Sequence, residues 1–284
     1  MQIELGACSG FAATGGKPFD PARPAMVFLH GAGLDNTVWA LHSRWFAFHG
    51  WSVLAVDLPG HGRSPGSPLA SIGSMADWVL ELAARAGAQQ HVLVGHSMGA
   101  LVALEAAARA PERAAGLALI GAAARMPVHR DLLAAARANE HSALDMLNLW
   151  GHGGAAALGG HEAPGIWMLG SGIRLFERAA PGVVFADLSA CNAYAGAAAA
   201  AARVRCPTLL ICGERDRMTP LAGGRELAAL ISGAQLAVVA QAGHMLLAER
   251  PIETREMLAR FFSARVADGA APAPASLQER EKTS

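Results

Sequence analysis

The stretch His91-Val92-Leu93-Val94-Gly95-His96-Ser97-Met98-Gly99-Ala100-Leu101-Val102-Ala103-Leu104-Glu105-Ala106-Ala107-Ala108 carries the reading of the whole chain. Its first four residues form a short apolar run rich in valine, the pattern of a buried strand. Its last nine are alanine- and leucine-rich and read as a helix. Between them stands Gly-x-Ser-x-Gly. Strand, Gly-x-Ser-x-Gly and helix together are the sequence form of a nucleophile elbow. Such a turn lifts the serine hydroxyl clear of the strand end. It also sets the N–H groups of the following helix where a developing oxyanion needs donors.

The pattern alone is weak, since a chain of this serine and glycine content yields about 0.2 matches by chance. A second match, Gly62-Arg63-Ser64-Pro65-Gly66, illustrates the risk. Ser64 fails on two physical grounds. Pro65 has no N–H to give an oxyanion, and the preceding Leu58-Pro59-Gly60-His61 reads as a loop. Ser97 is therefore the candidate nucleophile.

Working outward, short apolar runs alternate with helical patterns. Met26–His30 and Ser52–Asp57 read as strands, Thr37–His49 and Ile72–Ala86 as helices, and Gly116–Ile120 as the strand after the elbow helix. This alternation predicts a mostly parallel sheet covered on both faces. From about Ala122 to Ala202 the rhythm is lost, and helices and Gly-rich loops without clear strands are expected. Leu144–Trp150 reads as helix, Gly151–Gly154 as loop, and Ala195–Ala202 as either helix or linker. The rhythm resumes with a strand at Cys206–Cys212, a helix at Leu221–Ile231, a strand at Ala234–Val239 and a helix at Pro251–Phe262. The domain reading is thus a core of residues 1–121 and 203–265, an inserted helical cap at 122–202 and a disordered tail at 266–284.

An activated serine needs a base, and the base needs a carboxylate to orient it. Past the strand ending at Cys212 stands Gly213-Glu214-Arg215-Asp216-Arg217-Met218-Thr219-Pro220, and past Val239 stands Gly243-His244-Met245. Both segments fall at the carboxyl ends of strands, on the sheet edge that carries Ser97 and where ligands bind in such sheets. His244 is the candidate base and Asp216 the candidate acid, with Glu214 as its competitor. The chain order Ser97, Asp216, His244 is the one expected after this elbow. His30-Gly31-Ala32-Gly33 follows the first parallel strand, and its turn brings Ala32 N–H toward the serine. Ala32 and Met98 N–H groups are the candidate oxyanion hole. His30, Gly31, Trp150, Trp167, Met168 and Met245 are candidate substrate contacts. Arg174 and Arg178 share a helical face that reads as solvated.

The bulk numbers exclude several classes. The 284 residues carry 23 basic and 23 acidic side chains, giving a formal net charge of zero, so neither nucleic acid nor an anionic membrane is an expected partner. Charged residues make up 16 % and hydrophobic residues 52 %, which points to a large core or to apolar exposed surface. Cys8, Cys191, Cys206 and Cys212 form no Cys-x-x-Cys pair, and His152 and His161 lack metal-ligand spacing. No metal and no cofactor is expected. No signal peptide or membrane span is visible, and a cytoplasmic protein is the expectation.

Taken in order, His30–Gly33, Asp57–Ser64, Gly95–Gly99, Gly213–Pro220 and Gly243–His244 make the chain resemble the α/β-hydrolase family in its lid-bearing branch. The resemblance spans residues 20 to 265 apart from the middle. It implies an eight-stranded, mostly parallel sheet whose first, antiparallel strands precede Asp20. It implies that 122–202 covers the active site as a cap. It also assigns the acid role to Asp216 rather than Glu214, and structural roles to the Asp and His of Asp57–Ser64. A serine nucleophile sets aside relatives that use aspartate there. Hydrolysis of a small carboxylic ester or related acyl substrate through an acyl-enzyme is the preferred reading. Carbon–carbon bond hydrolysis of a vinylogous diketone and lactone opening use the same residues. A ligand receptor or a lyase on this fold stands as the reading from another class.

Overall fold

A computed structural model describes residues 1–265 except 7, 158 and 160–166. Among these residues the chain forms eight strands and twelve α-helices. The strands are β1 (Gln2–Leu5), β2 (Cys8–Ala13), β3 (Ala25–Leu29), β4 (Ser52–Asp57), β5 (His91–His96), β6 (Ala114–Ile120), β7 (Thr208–Gly213) and β8 (Gln235–Val239). They make one sheet in the order β1-β2-β4-β3-β5-β6-β7-β8. β1 and β2 are antiparallel, and every pairing from β4 to β8 is parallel. This is the α/β-hydrolase fold, and its antiparallel edge lies before Asp20 as expected.

Strand period places alternate residues on opposite faces. Val27 and Leu29 of β3 enter one core, and Met26 and Phe28 enter the other. The first core lies under α2 (Ile72–Arg85), α3 (Met98–Arg109) and α10 (Leu221–Leu230). The second lies under α1 (Ala40–Phe48) and α12 (Pro251–Arg265). In α2 the buried residues Ile72, Met75, Ala76, Val79, Leu82 and Ala83 recur at helical spacing, and the Ser71 hydroxyl caps the helix by accepting from Ser74 N–H. The short helix α11 (Leu246–Glu249) follows β8.

Between β6 and β7 the chain forms α4 (Arg130–Arg137), α5 (His141–Gly151), α6 (Gly154–Ala157), α7 (Met168–Phe176), α8 (Val183–Ala193) and α9 (Ala197–Ala201), with no strand among the described residues. A third apolar cluster holds this insert together and reaches Leu34 and Met245 of the sheet side.

Element boundaries move where local chemistry overrides periodicity. The expected helix Thr37–His49 opens as a 3₁₀ turn, Asn36–Trp39, because the Asp35 carboxylate caps Thr37 N–H. β7 starts at Thr208, since Pro207 offers only its carbonyl, which takes Leu117 N–H. β5 runs through His96, directly up to Ser97. The Gly151–Gly154 loop is shorter than expected, because α5 continues through Gly151 and α6 starts at Gly154. Ala195–Ala202 resolves as the short helix α9. Residues 266–284, His161 and Ile166 lie outside the described residues. No described helix is long and apolar enough to cross a membrane.

Candidate active site

Ser97 joins β5 to α3 with φ +54° and ψ −119°, a conformation few side-chain-bearing residues adopt. The surrounding packing enforces it. Ser97 N–H donates to Ile120 O at 2.9 Å. A Cβ on Gly95 would fall 2.1 Å from Gly99 O, and one on Gly99 would fall 2.3 Å from Leu29 O. Both flanking glycines are therefore required by backbone-to-backbone approach, as the motif demands.

His244 follows β8, and Asp216 follows β7. Their side chains meet with Nδ1 2.8 Å from Oδ2, both groups buried. Asp216 is saturated with donors: Met218 N–H and Thr219 N–H reach Oδ1 at 2.8 Å each, and the Thr219 hydroxyl reaches Oδ2 at 2.7 Å. Burial alone would raise its pKa. The facing His244 and the Thr219 donors outweigh that and hold the carboxyl below its ordinary value. An ionised carboxylate only accepts, so the His244 proton sits on Nδ1 and Nε2 carries the lone pair. Nε2 is buried with no hydrogen-bond partner among the described residues. Glu214 turns away and accepts from Gln241 N–H at 2.9 Å.

Ser97 and His244 line one cavity of about 330 Å³. Gly31, Ala32, Thr219 and Met245 border it from the sheet side, and Leu132, Leu147, Trp150, Phe176 and Leu188 from the insert. Of the six candidate contacts, Gly31, Trp150 and Met245 reach this cavity. His30, Trp167 and Met168 do not line it. His30 is fully buried beneath the turn, Trp167 is 70 % exposed and Met168 is buried within the insert. Helical spacing identified apolar faces in the insert but not which of them faced inward. Arg174 pairs with Glu177, and Arg178 with Asp35. Ser64, the decoy, accepts from Phe11 N–H and donates to Asp57 O. Asp57 in turn accepts from Asn36 and Arg63.

The turn after β3 presses on the serine, with a Cβ on Gly31 lying 3.2 Å from Ser97 Cβ. Met98 is the first residue of α3, so its N–H has no acceptor inside the helix. His30 sets the turn's orientation. Leu58 N–H donates to His30 Nε2 at 3.2 Å, leaving the proton on Nδ1, which donates to Gly31 O at 2.9 Å. Burial pushes the His30 pKa down to about 3, so the ring is neutral, as this tautomer requires.

Two positions escaped sequence reasoning. His96 donates from Nε2 to His244 O at 2.9 Å and so holds the histidine loop. Its pKa is pushed down to about 3, first by burial and then by His244. Glu249 accepts from Gly243 N–H at 3.1 Å and Gly153 N–H at 3.0 Å, tying the same loop to the insert. The middle position of Gly-x-Ser carries no periodic signal, and nothing local marks Glu249 as buried.

The chain resembles known proteins in sequence and fold. The sequence model described as the alpha/beta hydrolase family matches residues 26–256. A pimeloyl-(acyl-carrier protein) methyl ester esterase of Chromobacterium violaceum is 34 % identical over 233 residues, covering 78 % of this chain and 87 % of that one. A protein of the same name from Xanthomonas oryzae pv. oryzae is 32 % identical over 270 residues, covering 84 % and 95 %. Among solved structures, the enol-lactonase from Burkholderia xenovorans superposes with a TM-score of 0.82 over 92 % of this chain and 99 % of that one, at 24 % identity.

Proposed function

The chain belongs to the alpha/beta hydrolase family and is a hydrolase, and from that premise we propose that it cleaves a small carboxylic ester with an apolar acyl chain, using Ser97, His244 and Asp216. One observation carries the reading: an imidazole whose Nδ1 is committed to a buried carboxylate at 2.8 Å while its Nε2 has no hydrogen-bond partner among the described residues, beside a strained serine in the same cavity. The esterase names of the relatives support the substrate class.

His244 Nε2 takes the Ser97 proton as Oγ attacks the ester carbonyl. Ala32 and Met98 N–H groups receive the resulting oxyanion. Collapse breaks the C–O bond to the alcohol, which leaves with the proton from His244. Water, deprotonated by the same nitrogen, then attacks the acyl-enzyme and releases acid and Ser97. Asp216 holds the imidazole's tautomer and stabilises its charged form. Residues 1–121 and 203–265 serve as the catalytic core. The insert, 122–202, acts as a cap whose Trp150, Leu147 and Phe176 accommodate the acyl chain.

The test is a panel of methyl and p-nitrophenyl esters, lactones and vinylogous diketones, run in heavy-oxygen water. Alkyl-ester turnover lost in Ser97→Ala, with one solvent oxygen in the acid product, supports the reading. Cleavage restricted to the diketones moves the assignment to carbon–carbon bonds.

A further inference from the structure

Asp187, in α8 of the insert, is fully buried and far in sequence from the catalytic candidates Ser97, Asp216 and His244. Its Oδ2 accepts from Gly33 N–H at 2.8 Å and from His61 Nε2 at 2.8 Å. His61 presents its other nitrogen, Nδ1, to Pro59 O at 3.0 Å. A carbonyl and a carboxylate both only accept, so the ring donates from both nitrogens and is an imidazolium. Burial opposes that charge, yet Asp187 and the backbone carbonyls of Pro59 and Leu58 overcome it and raise the His61 pKa. The pair is a buried salt bridge joining the insert to the loop after β4.

Its bearing on the site comes through Gly33. The peptide unit preceding Ala32 is fixed at its oxygen, since Gly31 O accepts from His30 Nδ1 and from Leu34 N–H at 3.2 Å. Peptide planarity then fixes the direction of Ala32 N–H. The peptide unit following Ala32 is held at its nitrogen, where Gly33 N–H donates to Asp187 Oδ2. α8 also closes on this glycine sterically. Gly33 has φ +67°, and a Cβ there would fall 2.9 Å from Val184 Cγ2. Both planes around Ala32 are thus held, one by the core and one by the insert.

We infer that Asp187 is a positioning residue: by holding the peptide unit after Ala32 it keeps the turn from rotating about that residue and so steadies the Ala32 N–H that receives the oxyanion, with His61 as its buried counter-ion. The inference rests on the role proposed above for Ala32, and it makes the insert part of the catalytic geometry as well as a wall of the cavity. Preorganised donors act only if they need no reorganisation during reaction, and misplacement by about 1 Å costs on the order of a hundredfold.

Three variants of the full chain test it. Asp187→Ala removes the acceptor, and kcat for a p-nitrophenyl ester falls by about tenfold to a hundredfold with KM within about threefold. Asp187→Asn keeps an oxygen toward Gly33 and restores kcat to within about threefold of wild type. The double replacement Asp187→Leu with His61→Leu exchanges the ion pair for apolar residues of similar reach, a change that buried pairs commonly tolerate in stability. It keeps the wild-type melting temperature and loses as much kcat as Asp187→Ala. Two further readouts separate positioning from general support. Amide hydrogen exchange of a peptide covering residues 31–35 speeds up in Asp187→Ala and in the double variant but not in Asp187→Asn. Affinity for an alkylboronic acid, whose serine adduct places an oxygen in the oxyanion hole, weakens in step with kcat. A double variant with wild-type kcat, or unchanged exchange at 31–35, overturns the inference. Esterase activity that survives Ser97→Ala instead sinks the proposed function, and the exchange result still decides what Asp187 holds.

Discussion

The two walls of the cavity are built by different means. On the sheet side, position is a backbone property. Ser97 sits at φ +54° because Gly95, Gly99 and Ile120 leave its peptide no other course. His244 and Asp216 stand at the ends of adjacent parallel strands, β8 and β7, whose register brings them together. On the insert side, position is a side-chain property. Leu132, Leu147, Trp150, Phe176 and Leu188 fill space from short helices, and two buried carboxylates join insert and core: Asp187 of the insert takes the core's Gly33 N–H, and Glu249 of the core takes the insert's Gly153 N–H. A backbone frame fixes atoms tightly and tolerates little change, whereas a packed apolar wall tolerates exchange of one hydrophobe for another. The comparison therefore predicts where chemistry and where specificity will respond.

The largest effect belongs to the sheet side. Ser97→Ala is expected to lower kcat by about five to six orders of magnitude with little change in melting temperature, measured by ester turnover and thermal unfolding. Asp216→Asn follows with a loss of about 10⁴-fold, because the amide permits the wrong imidazole tautomer. Glu214→Gln, only two residues away, should leave kcat within about twofold, since its carboxylate faces Gln241. Equal losses at 214 and 216 would break the assignment.

The backbone argument is sharpened by Gly99→Ala. The new methyl would meet Leu29 O at 2.3 Å and His30 O at 2.5 Å, and a cost of several kcal/mol, about 3 or more, is expected in chemical denaturation. On the insert side, Trp150→Ala should instead shift the preference among acyl chain lengths by about tenfold in kcat/KM, with kcat on the best substrate nearly preserved. If Trp150→Ala lowers kcat as severely as Asp216→Asn, the division between the walls is wrong. Asp187 is the inferred exception, an insert residue whose loss is read in kcat.

The last test is pH dependence, in which the buried histidines of the core divide into two groups of opposite sign. Burial holds His30, His42 and His96 at about 3, well below the ordinary histidine value of 6.5. Between those limits the unfolded chain binds protons that the folded chain refuses, so stability falls as pH drops below 6.5, by about 1.4 kcal/mol per pH unit for each ring. His61 is raised above 6.5, so its contribution is complete below that pH and is lost as pH rises through its folded value. Urea midpoints of wild type and His61→Gln should therefore differ most below pH 6.5 and converge in alkaline solution. A gap that widens with rising pH would mean that His61 is not the charged partner of Asp187.

Ser97, Asp216 and His244 were legible because each follows a short apolar strand and sits in a glycine-marked turn. Those signals are local, and the order of strands places their ends on one rim. His30 is legible as part of the turn but its burial is not, because a strand-end histidine looks alike whether it faces ligand or packs beneath a loop. The places of Trp167 and Met168 away from the cavity are not legible, because an amphipathic segment declares an apolar face without declaring its neighbour. Asp187 and Glu249 carried no signal at all. A carboxylate on a helix reads as solvated until a distant backbone N–H is brought against it.

By itself, the sequence determined the alternation of strands and helices, the elbow and the three side chains at strand ends, because these depend on propensity, period and spacing within a few residues. Only the tertiary structure decided which apolar faces became the cavity, which buried rings are neutral or charged, and which carboxylates bind the insert to the core. Those properties depend on burial and on partners as distant as 154 residues for Asp187 and 212 for His42, and no local pattern encodes the loss of water that gives them their strength.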